Sequence, residues 1–141
     1  PVWFMRKSVY TRPQLEATYG LAKKYYDERR YGEAIELYEE LLGRQQDAVS
    51  LHMHLGNAYY HSRDYASAVR HYRLALEREI DLPTIRLNLS TALLRLKRYE
   101  EAEAELGSLI EDYRGIDDRI VRRAAHLLSL YRKREAPGSQ P

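Results

Sequence analysis

The chain has 141 residues, 31% of them charged, and a formal net charge of +2. This length is typical of one domain with a hydrophobic core, and the near balance of charges argues against a general nucleic-acid-binding protein. There is no cysteine, which excludes disulfides and cysteine-ligated metal sites.

Residues 1–14 precede the repeated part of the chain and form its N-terminal arm. They contain the only Trp and the only Phe, Trp3 and Phe4, followed by Arg6 and Lys7. Aromatic residues beside a basic pair are typical of the aqueous edge of a membrane-spanning helix, although this apolar run is too short to span. Two interpretations stay open: an arm that covers the first repeat, and the end of a missing or trimmed membrane anchor.

From residue 15 to residue 116 the chain repeats itself with a period of 34. A large, a small and a second large residue recur in the first half of each unit, as Leu21, Ala22 and Tyr25, then Leu55, Gly56 and Tyr59, then Leu89, Ser90 and Leu93. A tyrosine recurs at the middle of each unit, as Tyr31, Tyr65 and Tyr99. A fixed period of this length indicates a helical repeat, in which small residues let paired helices approach closely.

The pattern closely resembles the tetratricopeptide repeat. The resemblance covers three units, at residues 15–48, 49–82 and 83–116. It implies an all-α fold, a right-handed α-solenoid of helix-turn-helix repeats.

Apolar spacing predicts two helices in each unit. The expected ranges are about 15–28 and 32–44, then 48–62 and 65–78, then 83–96 and 99–113. The apolar spacing of residues 117–135 predicts one more helix. Acidic residues lie at its start and basic residues at its end, as the helix dipole favours. This last helix resembles the capping helix of tetratricopeptide arrays, and residues 136–141 are expected to be a flexible tail.

The resemblance also implies a peptide-binding groove, lined by the first helices of the units. Its expected residues in this chain are Tyr19, Lys23, Tyr26, Met53, Asn57, Tyr60, His61, Leu87, Thr91, Leu94 and Arg95, with Val121, Ala125 and Leu128 of the capping helix extending the row. The groove is polar toward the first two units and apolar toward the last, so we expect a partner whose apolar anchor meets Leu87 and Leu94. Asn57 is expected to face the ligand, because a polar residue midway along the groove has no evident packing role.

Chaperone-binding members of the family hold a C-terminal carboxylate through Lys, Asn and Arg side chains of the first helices. The matching places here hold Tyr19, Lys23, His54, Thr84 and Asn88, and none of them agrees. A ligand of the Glu-Glu-Val-Asp type is therefore not expected.

Other chemistry has weaker support in the sequence. His52, His54, His61 and His71 lie close together, but His52 and His54 do not share a helix face, so no metal site is predicted. No phosphate-binding loop and no activated nucleophile is recognised. The sequence predicts a protein without catalytic activity and without a cofactor.

Three kinds of function stay open. The first is an adaptor or scaffold that binds a peptide segment of a partner protein. The second is a self-associating structural protein, a homo-oligomer. The third is the part outside the membrane of an anchored assembly or secretion factor. The sequence does not fix the compartment; a cytoplasmic or membrane-associated location fits it best.

Overall fold

A computed structural model of the protein describes residues 9–44, 47–78 and 81–135. These residues form helices only, with no strand among them. The helices are α1 (Arg12–Asp27), α2 (Tyr31–Leu42), α3 (Ala48–His61), α4 (Tyr65–Leu76), α5 (Pro83–Arg95), α6 (Tyr99–Tyr113) and α7 (Asp118–Glu135). They pair as three antiparallel units, α1 with α2, α3 with α4 and α5 with α6, and α7 closes the array, as the sequence pattern predicts.

Helix α1 begins at Arg12, three residues before the expected start. Thr11 is its N-cap: the Thr11 hydroxyl accepts a hydrogen bond from the Gln14 backbone N–H, and the Gln14 side chain accepts one from the Thr11 N–H. This reciprocal pair satisfies two backbone donors that would otherwise lack partners. Pro13 lies in the first turn, where its missing N–H costs nothing. Part of the expected N-terminal arm is therefore helical.

The turn inside each unit is closed by a basic residue in the left-handed conformation. Arg29, Arg63 and Lys97 have φ angles of +62°, +66° and +59°. At each turn the following residue donates its backbone N–H to a carbonyl near the end of the first helix, as Arg30 does to Tyr25. Such a left-handed residue ends a helix abruptly and turns the chain back.

The core consists of three clusters, one at each contact between units. Tyr38 and Leu55 belong to the first, Tyr72 and Leu89 to the second, and Leu106 to the third. Tyr38, Tyr72 and Leu106 are each at most 1% exposed. Burying a large apolar side chain contributes about 1.5–3 kcal/mol, so stacking the units stabilises each of them.

A largely buried cation, Arg86, joins the two helices of the third unit. The guanidinium of Arg86 donates to Glu105, to Asp112 at 2.9 Å and to the Ser108 hydroxyl at 2.8 Å. Its side chain is only 12% exposed. Because a buried cation needs several partners, this group fixes the register of α5 against α6.

Helix α7 packs in a register that the 34-residue period does not predict. Its buried residues follow their counterparts in α5 by 35 residues: Ile120 follows Ile85, Ala124 follows Leu89 and Leu128 follows Leu93. The extra residue lies in the turn at Gly115, whose φ is +75°. Extending the groove through Val121, Ala125 and Leu128 was therefore wrong, since Leu128 is 8% exposed and packs in the third core cluster.

Among the described residues, none covers the first unit as the preceding units cover the later ones. Leu21 is 40% exposed, whereas its counterparts Leu55 and Leu89 are 0% and 4% exposed because the preceding unit packs on them. The two interpretations of the N-terminal arm rest on residues 2–7, and these lie outside the described residues, as does the tail at 136–141. No helix in the described ranges is long and apolar enough to cross a membrane.

Candidate functional site: the concave face

The first helices of successive units lie on the inner side of the array. Helix α3 packs against α5, and α5 packs against α7, whereas α2, α4 and α6 pack mainly on first helices. In a curved stack the elements that approach their neighbours are on the inside. We call the exposed side of α1, α3, α5 and α7 the concave face, and the α1–α3, α3–α5 and α5–α7 contacts the first, second and third junctions.

Aromatic rings fill the first junction near the turns. His61 of α3 stacks on Tyr31, with ring centroids 5.5 Å apart, and meets the edge of Tyr26 at 5.8 Å. Tyr26 also meets Tyr31 edge to face. Such ring pairs are worth about 0.5–1.5 kcal/mol. The expected groove residues Tyr26 and His61 therefore hold two units together, and His61 stays exposed.

The second junction repeats this contact with a cation in place of the imidazole. Arg95 of α5 donates from Nε to the Tyr60 hydroxyl at 3.4 Å, and its guanidinium lies over the Tyr65 ring at 5.9 Å from the centroid. Tyr60 meets Tyr65 edge to face at 5.2 Å. Tyr60 and Arg95 correspond to Tyr26 and His61, 34 residues on.

The third junction has two aliphatic residues at the same places. With the register of α7 corrected, Leu94 corresponds to Tyr60 and Leu130 corresponds to Arg95. Tyr99, the counterpart of Tyr65, stacks instead on Tyr131 at 4.9 Å. Leu94 and Leu130 fill less space than the side chains at the equivalent places of the other junctions. A cavity of about 430 Å³ therefore lies at the third junction. We call it the third-junction cavity; it is lined by Thr91, Leu94, Arg95, Lys97, Tyr99, Leu127, Leu130 and Tyr131.

Asn57 lies at the middle of the concave face and has a structural partner on each side. Its side-chain oxygen accepts hydrogen bonds from the Tyr72 hydroxyl at 2.7 Å and from the Asn88 amide at 3.2 Å. The expectation that Asn57 has no packing role is therefore wrong: it connects α3 to α4 and to α5. Burial raises the pKa of Tyr72, so its hydroxyl stays a donor.

Tyr19 and Lys23 lie on α1, at the start of the concave face. The Tyr19 hydroxyl is hydrogen-bonded to Nε2 of His54, and the His54 ring stacks on Tyr38 at 5.2 Å. Burial lowers the pKa of His54, and the charge of Lys23 lowers it further, so His54 is neutral at pH 7. Lys23 itself is exposed.

The remaining expected groove residues divide by burial. Leu87 is 1% exposed and packs with Leu106 and Leu109 in the third core cluster. Its assignment as a ligand anchor was wrong, because the capping helix covers it. Met53 is half-buried against the second cluster. Thr91 donates its hydroxyl to the Leu87 carbonyl at 2.9 Å and lines the third-junction cavity beside Leu94.

Sequence reasoning missed Leu127, Leu130 and Tyr131 as concave-face residues. Their counterparts in α5 are Ala92, Arg95 and Leu96 once the extra residue near Gly115 is counted. The signal was present in the sequence: the series Ile85, Leu89, Ala92, Leu93 matches Ile120, Ala124, Leu127, Leu128 at a spacing of 35, not 34.

The histidines form one close pair away from the concave face. Nδ1 of His52 and Nδ1 of His71 are 3.0 Å apart. His71 is 5% exposed, its ring stacks on Tyr59, and its Nε2 has no hydrogen-bond partner. In the described ranges no three His, Asp or Glu side chains are grouped so that they could hold a metal ion.

The fold and this inner face define a class: a helical-repeat solenoid of antiparallel helix pairs with a concave surface. Two family models described as tetratricopeptide repeat match residues 19–83 and residues 59–127. The chain belongs to the tetratricopeptide repeat family. No curated protein matches it.

Several solved structures have the same fold at low sequence identity. PcrH, in a complex with the chaperone binding region of PopB, superposes with a TM-score of 0.71 at 17% identity, over 84% of this chain and 97% of that chain. The Sgt2 TPR domain from Aspergillus fumigatus has a TM-score of 0.74 at 18% identity, over 95% and 89%. The TPR2AB domain of yeast Sti1, in a complex with pHSP90, has a TM-score of 0.68 at 15% identity, over 84% and 49%. These likenesses establish the fold.

Proposed function

We propose that the chain is a non-enzymatic adaptor whose concave face binds a segment of a partner protein. One observation carries the proposal. The concave face has charged side chains with no ion pair within the described ranges, such as Lys23, Asp27 and Arg95, beside the open third-junction cavity. Surfaces of this kind, partly apolar and with charged groups that lack an ion pair, are suited to recognising another chain.

The family and the similar structures support this proposal. Tetratricopeptide repeats are generally protein-interaction modules, and two of the similar structures are complexes, of PcrH with a region of PopB and of Sti1 with pHSP90. At 17% and 15% identity these structures support a shared fold. We therefore infer only the class of partner, a segment of another protein. For the same reason we infer that the chain has no catalytic role.

Affinity capture from the source lysate tests the adaptor function. The variant Lys23→Glu with His61→Ala changes two exposed concave residues, and Glu36→Ala with Arg70→Glu changes two exposed residues of α2 and α4. We expect the first variant to lose a protein that the wild type and the second variant both retain. Equal recovery by all three proteins would contradict binding at the concave face. Circular dichroism checks that the helix content is equal.

A second candidate is self-association through the first unit. The 40% exposure of Leu21, a residue that neighbouring units bury, favours it. Light scattering over a range of concentrations, with the wild type and Leu21→Lys, separates a dimer formed at this face from a monomer. Membrane anchoring remains a proposal from residues 2–7, and liposome flotation with and without residues 1–12 tests it.

A further inference from the structure

The third-junction cavity is a place on the concave face, near the turns, where apolar walls are open to solvent. Leu94 and Leu127 are half-buried in it, and Leu130 is 46% exposed. Its volume of about 430 Å³ lies within the range of small-ligand sites, ~300–1,000 Å³. The two other junctions have ring contacts at the equivalent place.

The walls of the cavity carry positive charge. Arg95 and Lys97 both line it, and neither forms an ion pair in the described ranges. Helix α5 contains no Asp or Glu, and α7 has them only at its two ends, Asp118 and Glu135.

The acidic residues nearby belong to α6. Glu101 is held by Arg98 and by Arg73 at 2.8 Å, which lower the pKa of Glu101 to about 2. Glu103 lies 3.6 Å from Arg132. Glu100 lines an adjoining depression, which shares Lys97, Tyr99 and Tyr131 with the cavity, and is not among the residues that line the cavity itself. The cavity therefore has an apolar floor and a cationic rim.

We propose that this cavity receives a large apolar side chain of the partner segment, and that acidic residues next to that side chain pair with Arg95 and Lys97. The proposal rests on the adaptor function and specifies its ligand as an acidic segment with one apolar anchor. It needs no free C-terminal carboxylate, because both contacts are made by side chains. Burying the anchor supplies affinity, and the charges select the partner.

Selection from a random peptide library tests the proposal without assuming a ligand. The peptides are displayed as internal segments, so that no free carboxylate is present. We expect selection on the wild-type chain to enrich peptides with Leu, Ile, Phe or Trp within two residues of Asp or Glu. One enriched peptide, made synthetically with blocked ends, is then titrated by fluorescence anisotropy.

Matched variants localise the binding. Lys97→Glu is expected to lower the affinity for the peptide by about fivefold or more. Leu130→Glu is expected to lower it by about tenfold or more. Arg29→Glu is the control for Lys97→Glu. Arg29 is the equivalent turn residue of the first unit, and its φ is +62°, against +59° for Lys97. Leu21→Glu is the control for Leu130→Glu, because Leu21 is 40% exposed and Leu130 is 46% exposed. Both controls are expected to bind within about twofold of the wild type.

Three results would overturn the proposal: no enrichment, enrichment of basic or neutral peptides, and binding that survives Leu130→Glu. The adaptor function is judged separately, because its test changes Lys23 and His61, which are not among the cavity's lining residues. If the Lys23→Glu, His61→Ala variant loses a partner that Leu130→Glu still binds, the adaptor function is supported and the proposed acidic ligand is rejected.

Discussion

A small residue lies at the closest contact between the two helices of each unit. Ala22, Gly56 and Ser90 are fully buried at this place. A Cβ atom on Gly56 would lie 2.5 Å from Cε1 of Tyr72, and the Tyr72 hydroxyl is held by Asn57 at 2.7 Å. The ring therefore cannot move aside without breaking a hydrogen bond.

We predict that Gly56→Ala lowers the free energy of unfolding by about 1–3 kcal/mol, the usual effect of overpacking a core. Gly20→Ala is the matched control, since Gly20 is also helical but has no atom within 4 Å of an added Cβ. It is expected to raise the free energy by about 0.5–1 kcal/mol. Urea unfolding measures both values, and a Gly56→Ala protein as stable as the wild type would refute the close contact.

Single residues also mark the limit of reading the groove from sequence. The 34-residue pattern correctly predicted the helices and, apart from the exposed Leu21, the buried and half-buried large and small places that recur wherever the same helix contact recurs. It could not predict the hydrogen bonds of Asn57 with Tyr72 and Asn88, since Asn57 and Asn88 do not recur with the 34-residue period. It could not tell that Leu87 is buried, because that depends on how far α7 reaches over α5.

At the scale of elements, the register of α7 decides the character of the groove. One additional residue before α7 rotates the helix by about 100°, so that Leu130 takes the place that a 34-residue spacing gives to Ser129. A strict period therefore misassigned this helix while predicting its existence and its role as a cap. Likewise, the capping box of Thr11 and Gln14 was readable in the sequence, although apolar periodicity alone starts α1 three residues late.

The contact between α3 and α4 contains a pH-sensitive pair. Burial lowers the pKa of His71 to about 4, helped by Arg70 and His52 and opposed by Glu39. Burial also lowers the pKa of His52, with Arg78 and Arg70 adding to the effect and Glu77 opposing it. Both rings are therefore neutral at pH 7, when one Nδ1–H can donate to the other Nδ1.

We predict that this pair destabilises the fold as the pH falls from about 6.5 to about 4. In that window the unfolded chain protonates His71 while the folded chain does not, so the unfolded state binds more protons and the free energy of unfolding falls. His71→Phe keeps the ring beside Tyr59 but does not titrate.

Urea unfolding at pH 7 and pH 4.5 measures this effect. The decrease in the free energy of unfolding is expected to be smaller in His71→Phe than in the wild type, by about 2–3 kcal/mol. The carboxylates titrate in both proteins, so they cancel in the comparison. An equal decrease in the two proteins would contradict a neutral, buried His71.

The whole molecule is a short solenoid whose three junctions differ on one face. Near the turns, rings fill the first two junctions, and leucines leave the third open. The sequence predicted the array and its inner face, because both follow from repetition. It predicted an apolar place at Leu94 but not the cavity, because the cavity also needs Leu130, which a 34-residue spacing does not bring there.

Site-specific photocrosslinking tests the concave-face account most directly. The chain has no cysteine, so single cysteines can carry a benzophenone label. Equivalent exposed residues of the three units provide two sets, the concave Asp27, His61 and Arg95 and the outer Glu36, Arg70 and Ala104.

After irradiation in the source lysate, we predict a partner adduct from the concave labels and none from the outer labels. An adduct of the same partner from the outer labels, with none from the concave labels, would contradict the account.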